Sequence, residues 1–456
     1  MKPYQILVFI GCCLIGLATL CVVLPNRIAL GEYTLRLPSL AEILELQGQS
    51  DLSESSDFSE LSEPSESSEF LTFTDTISEN TVATQAKQTP VTVPLVKVDS
   101  TTDSRIFLAT FYMSLRESHG HKVRVVHYGD SQIEEDRMTQ QIRKALQSRY
   151  GGAGVGLVPL VQTIPSRAVH QEIHMGGKKV TAQQGPRRYM VHGPKRIQRS
   201  DGLYGPMGQM AVMNDSLVKG SEELMIVVEP LDDGPRYSRM NVFADSAILY
   251  SIVGDTVRLW GRGNVYGISQ ETDTGVIVDN IPMRGCLGLV FNKIDSAQLR
   301  NFYQSENVSL IIMQFGGNAI PFNETPSTVA AIVKGLRRQV RYLRECAPEA
   351  DILFIGPSDM LTLRDGTEQT YPMVPYMDRL LRKMALEENI AYFSLYKWMG
   401  GSGSMAHWKE IGLAGADGIH FTRIGARKAG KAVAEWLLEG EELVADDENK
   451  ESEGEE

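Results

Sequence analysis

Four short stretches carry residue types that could do chemistry together. Ser131 follows Gly129-Asp130, Gly285 stands between Arg284 and Cys286, Asn318 follows Gly316-Gly317, and His420 closes Asp417-Gly418-Ile419-His420. A serine hydroxyl becomes a nucleophile when a base takes its proton and an acid orients that base. N–H donors must also meet the developing oxyanion. His420 is the candidate base and Asp417, three residues earlier, its orienter. The backbone N–H groups of Ser131 and Gly285 and the side-chain amide of Asn318 are candidate oxyanion donors. Each residue also has an ordinary use. Ser131 could be an N-cap, His420 could cap the last helix, and Asp417 could be a turn residue. Gly285 could serve a tight turn and Asn318 an Asx turn.

These residues need elements to position them. Val123, Val125 and Val126 form a β-branched run suited to a buried strand. After Gly129-Asp130-Ser131, the spacing of Met138, Ile142 and Leu146 predicts a helix. Strands are expected at 275–280, 310–314, 352–355 and 390–393. Helices are expected at 105–116, 328–346, 376–388 and 422–438. Alternating strands and helices imply a parallel sheet covered on both faces. Sites in such sheets form beyond the carboxyl ends of the strands. Ser131, Gly285, Asn318 and His420 all follow strands or open helices, so one edge could gather them.

The four blocks together resemble the SGNH (GDSL-type) hydrolase superfamily. The resemblance covers about 123–157 and 275–438. It implies a three-layer α/β/α sandwich with a parallel sheet, and a Ser-His-Asp triad without metal or cofactor. By likeness, Ser131 is the nucleophile, His420 the base and Asp417 its orienter, with Ser131, Gly285 and Asn318 forming the oxyanion hole. The pattern departs from the family at Gln132, which replaces the usual Leu, and at Ala319, which replaces a frequent Asp. The layout is similar to bacterial envelope members that act on O-acetylated polysaccharide or peptidoglycan, some with a β-sandwich insertion. A serine esterase removing O-acetyl or other short acyl groups from cell-envelope carbohydrate is therefore expected. An O-acetyltransferase using the same three residues and a non-catalytic glycan-binding protein are the alternatives.

The 456 residues carry a net charge of −12, but the acidity is local. Residues 49–80 hold nine acids and no Lys or Arg, and 440–456 hold nine acids and one Lys. The rest of the chain is about +5, so the balance says little about the substrate. Three of the five cysteines lie in an apolar run, leaving Cys286 and Cys346. That is no disulfide framework, and no Cys/His cluster has zinc spacing.

The run Ile6–Leu24 is long enough to cross a bilayer. Residues 1–27 are read as an uncleaved membrane anchor that places the rest outside the cytoplasm. Residues 28–99, with an acid at every third position from Asp51 to Glu69, are read as a disordered spacer. The SGNH-like part is assigned to 100–157 and 272–440, and a disordered acidic tail to 441–456. Between its halves, 158–271 shows short strand-like runs separated by Gly, Asp and Pro, which predicts a β-rich inserted domain. A cluster opening that domain (Lys178, Lys179, Arg187, Arg188, Lys195, Arg196, Arg199) is read as a solvated face or a contact for an anionic polymer. No nucleic-acid partner is expected. The glycine-rich Tyr150–Leu157 lacks the Lys-Ser/Thr of a phosphate loop and is read as a tight loop. His127 is read as a strand-end residue, Glu134 and Glu135 as suited to a helix start, and His407 and Trp408 as loop residues able to line an acceptor pocket.

Overall fold

The computed structural model describes 103–159, 164–175, 224–231 and 236–454, with breaks at 245–247, 262 and 365, and the short strands named below outside those ranges. The chain divides into two compact units, Met1–Val93 and Pro94–Glu456. In the first, the described residues form an antiparallel hairpin, Arg27–Leu30 with Tyr33–Arg36. The expected spacer therefore begins with a hairpin. The expected anchor and the acid-rich 51–69 lie outside the described residues. Among the described residues, no helix is long and apolar enough to cross a membrane.

The second unit is built on a parallel sheet. Its strands are β1 (Lys122–Gly129), β2 (Gly275–Pro282), β3 (Val308–Gln314), β4 (Asp351–Ile355) and β5 (Ala391–Phe393), in the order β2-β1-β3-β4-β5. Successive side chains face opposite sides. Val125, Val278, Ile312 and Leu353 pack with helices α1 (Ala109–Arg116), α2 (Thr139–Tyr150) and α6 (Arg423–Gly454). Val126, Ile311 and Phe354 pack on the other face with α3 (Ser296–Ser305), α4 (Pro326–Cys346) and α5 (Val374–Glu387). The strand order reverses between β1 and β3, the switch point where sites gather in doubly wound sheets.

The inserted domain is β-rich, as expected. One antiparallel sheet contains Arg239–Ala244, Gly263–Glu271, Met210–Met213 and Val191–His192, with Gly156–Val158 also pairing onto Gly263–Glu271. The other contains Ile248–Val253, Thr256–Gly261, Leu224–Pro230, Val169–Met175 and Lys178–Val180. Ile173, Ile226 and Val257 from one sheet and Val265 and Ile268 from the other share a buried cluster, which makes a sandwich. Of the expected basic cluster, only the backbone at Lys178 and Lys179 is described; its other members lie outside the described residues.

The glycine-rich stretch is the tight loop leading into this domain. Gly152 (φ 95°) presses on the backbone of Val276 and Gly154 (φ 93°) on that of Gln270, where a Cβ would collide. At the return, Glu271 is fully buried and pairs with Arg124 of β1, Lys122 and Arg239. Arg124 also pairs with Asp279 of β2 at 3.2 Å.

The last helix corrects an expectation. It does not stop near Leu438 but runs to Gly454, through the tail read as disordered. The tail is rich in Glu, a good helix former, and holds no Pro. Its first turn is also anchored: Glu441 accepts from Tyr150 Oη at 2.6 Å and from Arg149 at 3.0 Å.

Candidate active site

Ser131 lies two residues beyond β1. It opens a short 3-10 turn, Ser131–Asp136, and α2 begins only at Thr139. The cap is Asp130, not Ser131: its Oδ1 accepts from Gln132 N at 3.0 Å. The Ser131 hydroxyl is left for another partner, His420 Nε2, at 2.8 Å. His420 Nδ1 meets Asp417 Oδ2 at 2.7 Å. Asp417 Oδ1 accepts from the N–H groups of Ile419 and His420, both at 3.0 Å, so the carboxylate is held by the turn that carries the imidazole. Burial raises the Asp417 carboxyl pKa. The hydrogen bonds from His420 and those two N–H groups outweigh it, and the group stays below its ordinary value. His420 does not cap α6; Thr422 does, accepting from Gly425 N at 3.3 Å.

Asn318 sits in the 3-10 turn Gly317–Phe322 after β3. Its amide nitrogen donates to Asp130 Oδ2 at 3.2 Å and to the Cys286 carbonyl at 3.3 Å. Burial pushes Asp130 up to about 6, against the pull of the Gln132 N–H and the nearby His420 and Arg137. Ser131, Asn318 and His420 line one cavity of about 140 Å³, closed by Phe315, Pro357, Met360 and Leu395 among others. Gly285 does not line it. That glycine (φ 68°) occupies a tight turn closed by Cys286 N donating to the Met283 carbonyl at 3.0 Å. The structure thus joins four of the five expected site residues. Cys286 and Cys346 are both buried free thiols.

Two residues without an assigned role organise this arrangement. Gln132 donates from Nε2 to the Ile419 carbonyl at 2.8 Å and accepts at Oε1 from Phe421 N at 3.3 Å. The departure at position 132 therefore fastens the backbone on both sides of His420. Arg137 donates to the carbonyls of Ser131, Gln132 (3.0 Å) and Phe421 (3.3 Å), tying the serine turn to the same segment. Position 132 was the available signal, a polar residue where the family places Leu. Arg137 gave none, because an Arg at a helix start reads as solvated.

The other singled-out residues have structural roles. His127 is fully buried between Gln314 (3.1 Å) and Thr139 (2.9 Å), and burial pushes its pKa down to about 3. It is neutral and does not line the Ser131 cavity. Glu134 is buried and forms a two-point pair with Arg284, both contacts 2.6 Å. Glu135 and Asp136 adopt φ of 60° and 62°. Such backbone costs of order 1–3 kcal/mol per residue and clusters at functional sites. His407 and Trp408 lie on a short helix, Ser404–Glu410, not a loop, because Asp359 Oδ2 accepts from Met405 N at 2.9 Å. Trp408 is buried against Phe421 and Trp398 (ring centroids 5.1 and 5.4 Å), and neither residue lines the cavity. Among the described residues, no group of three or more His, Cys, Asp or Glu is arranged to hold a metal.

Neither a family model nor a curated protein matches the sequence. The structure is similar to one of a peptidoglycan O-acetylesterase, with a TM-score of 0.58 and 21% identity over 76% of this chain and 98% of the other. It also matches an acetyl xylan esterase (TM-score 0.26, 15% identity, 36% of this chain and 81% of the other). A third match is an acetylxylan esterase from Geobacillus stearothermophilus (TM-score 0.25, 16% identity, 36% and 73%). The chain has the SGNH (GDSL-type) hydrolase fold, a parallel α/β/α core carrying an additional β-rich region.

Proposed function

We propose that the protein is a serine esterase that removes O-acetyl or other short acyl groups from acylated polysaccharide or peptidoglycan. The observation that carries this reading is the unbroken chain from Ser131 Oγ through His420 (2.8 Å) to Asp417 (2.7 Å) at the carboxyl edge of a parallel sheet. His420 Nε2 takes the Ser131 proton as Oγ attacks the ester carbonyl carbon. Asp417 keeps the other ring nitrogen protonated and stabilises the imidazolium. The oxyanion is met by the Ser131 N–H and by Asn318. The amide bonds of Asn318 are long, 3.2 and 3.3 Å, and one proton can turn toward the new charge. The tetrahedral carbon collapses, His420 protonates the departing sugar oxygen, and an acyl-serine remains. Water, deprotonated by His420, attacks that ester, the tetrahedral carbon collapses, and the carboxylic acid leaves as His420 returns the proton to Ser131 Oγ and the acid then ionises in solvent.

The size of the cavity supports a short acyl group. About 140 Å³ is well below the roughly 300–1,000 Å³ of clefts that enclose drug-sized ligands. The likeness to a peptidoglycan O-acetylesterase supports the substrate class. We place the protein outside the cytoplasm, held at a membrane by Ile6–Leu24; protease digestion of intact cells and spheroplasts checks this.

The test is hydrolysis of a chromogenic acetyl ester and release of acetate from an O-acetylated glycan. Wild type should turn over both and Ser131→Ala neither. Equal, slow hydrolysis by both proteins would sink the reading. Appearance of acetyl groups on an added sugar instead of free acetate would make it a transferase.

A further inference from the structure

A second cavity, about 190 Å³, lies where the serine turn meets the inserted domain. On one side are Glu134, Glu135 and Asp136, three to five residues beyond Ser131, with Asn280 and Arg284 from the end of β2. On the other are Val158, Ile164 and Ser166, entering the inserted domain. Because β2 pairs directly with β1, this cavity and the Ser131 cavity sit along the same carboxyl edge of the sheet.

Its chemistry is specific. Each carboxylate in its wall has its own guanidinium: Glu134 with Arg284 at 2.6 Å, Asp136 with Arg143 at 2.5 Å, and Glu135 with Arg167. Glu134, Asp136 and Arg143 are more than nine-tenths buried. The wall therefore bears strong, fixed hydrogen-bonding groups but no net charge to draw in an ion. Val158, Ile164, Ile281 and Pro282 supply an apolar surface beside them. Apolar surface next to paired, neutralised charges suits a ring with C–H faces and hydroxyl edges. The volume admits one such ring, not a whole oligomer.

We propose that this cavity is a subsite for one unesterified ring of a neutral saccharide chain, whose acylated neighbour reaches Ser131. The assignment rests on the esterase reading and adds the polymer to it. It gives the inserted domain a job: together with the serine turn it forms the wall that selects a glycan over a simple ester. It also gives a use to the left-handed backbone at Glu135 and Asp136, which brings both residues to the cavity wall.

The experiment uses the full chain with Ser131→Ala, so that no turnover intervenes, titrated calorimetrically with a β-1,4-linked N-acetylglucosamine tetramer. The expected result is saturable binding, weakened at least tenfold by adding Ser166→Trp, which fills the cavity, and preserved by Ser166→Ala. Circular dichroism and urea midpoints confirm that each variant is folded. The de-N-acetylated, cationic tetramer should bind more weakly. No binding of the neutral tetramer, equal binding by the Trp variant, or preference for the cationic tetramer would each overturn the proposal. Loss of Ser131-dependent ester hydrolysis would instead overturn the esterase reading, which this titration does not measure.

Discussion

Gln132 brackets His420: its amide nitrogen donates to the carbonyl one residue before the imidazole, and its oxygen accepts from the N–H one residue after. The residue following the nucleophile thus fixes the base. A leucine there could fill the space but could make neither bond. Gln132 is nine-tenths buried, so the N–H of Phe421 would lose its partner out of reach of water, at a cost of about 1–3 kcal/mol. The imidazole would then sample orientations away from Ser131. Gln132→Leu should lower kcat on a small acetyl ester by roughly 10- to 100-fold and leave KM within about twofold, since misplacement of reacting groups acts on the chemical step. Gln132→Glu should restore the lost rate only in part, because a carboxylate can accept from Phe421 but cannot donate to Ile419. An unchanged kcat in Gln132→Leu would show that the latch does not position the base.

Asp417 gives a sharper expectation. Its carboxylate makes three short bonds to the turn holding His420, and they keep it ionised. Asp417→Asn preserves the shape but presents an amide that favours the wrong tautomer of the ring. The kcat should fall by about three to four orders of magnitude. The unfolding midpoint should move little, because the side chain is about half exposed. A loss under tenfold would mean that His420 is oriented by something else.

The sheet itself predicts a pH dependence of stability. Asp351, at the start of β4, accepts from Phe111 N of α1 at 2.8 Å, and burial raises its pKa to about 6. The folded carboxyl holds its proton more tightly than the unfolded one, whose pKa is near 3.8. Below about pH 4 both states are protonated and the full stability is present. Between about 4 and 6 the unfolded state ionises first, and stability falls. Above 6 both are ionised and the loss is complete, about 3 kcal/mol for this difference in pKa. Asp351→Asn keeps the acceptor and cannot ionise. In urea titrations its advantage over wild type should grow by about 2–3 kcal/mol between pH 4 and pH 7. A constant difference would refute the assignment.

Much of the core was legible because its strands are β-branched runs bounded by Gly, Pro and Asn. The Ser131–His420–Asp417 geometry was legible because its residues follow elements that a parallel sheet aligns at one edge. Three features escaped that reading. The hairpin Leu361–Arg364 with Thr367–Thr370 alternates apolar and polar residues only in its first four, Leu-Thr-Leu-Arg, while its second strand, Thr-Glu-Gln-Thr, has no apolar residue, so the pattern is too short to mark it. The helix Ser296–Ser305 did carry a signal: Asp295 caps Gln298 N at 2.9 Å, with Leu299, Phe302 and Tyr303 on the buried side. Arg124 was hidden inside an apolar run, because a charged residue within a strand reads as surface until its partners are known. Those partners are distant in sequence: Glu271, Asp279 and Glu306.

That hidden arginine supports the last prediction. Arg124 and Glu271 are both fully buried, and Glu271 also serves Lys122, Arg239, Asn241 and Ser269. One carboxylate therefore joins β1 to the final strand of the inserted domain. Glu271→Gln keeps the volume but removes the charge, while two buried cations remain. Asp279 and Glu306 compensate Arg124 only in part, at 3.2 Å each. Breaking one partner of a buried ion network costs about 3–5 kcal/mol. The variant should unfold at correspondingly lower urea. Because Glu271 and Ser131 lie at opposite ends of β1, folded Glu271→Gln protein should hydrolyse a small acetyl ester at near the wild-type rate. An ester rate reduced more than tenfold in folded protein would show that the insertion's anchorage also governs the serine turn.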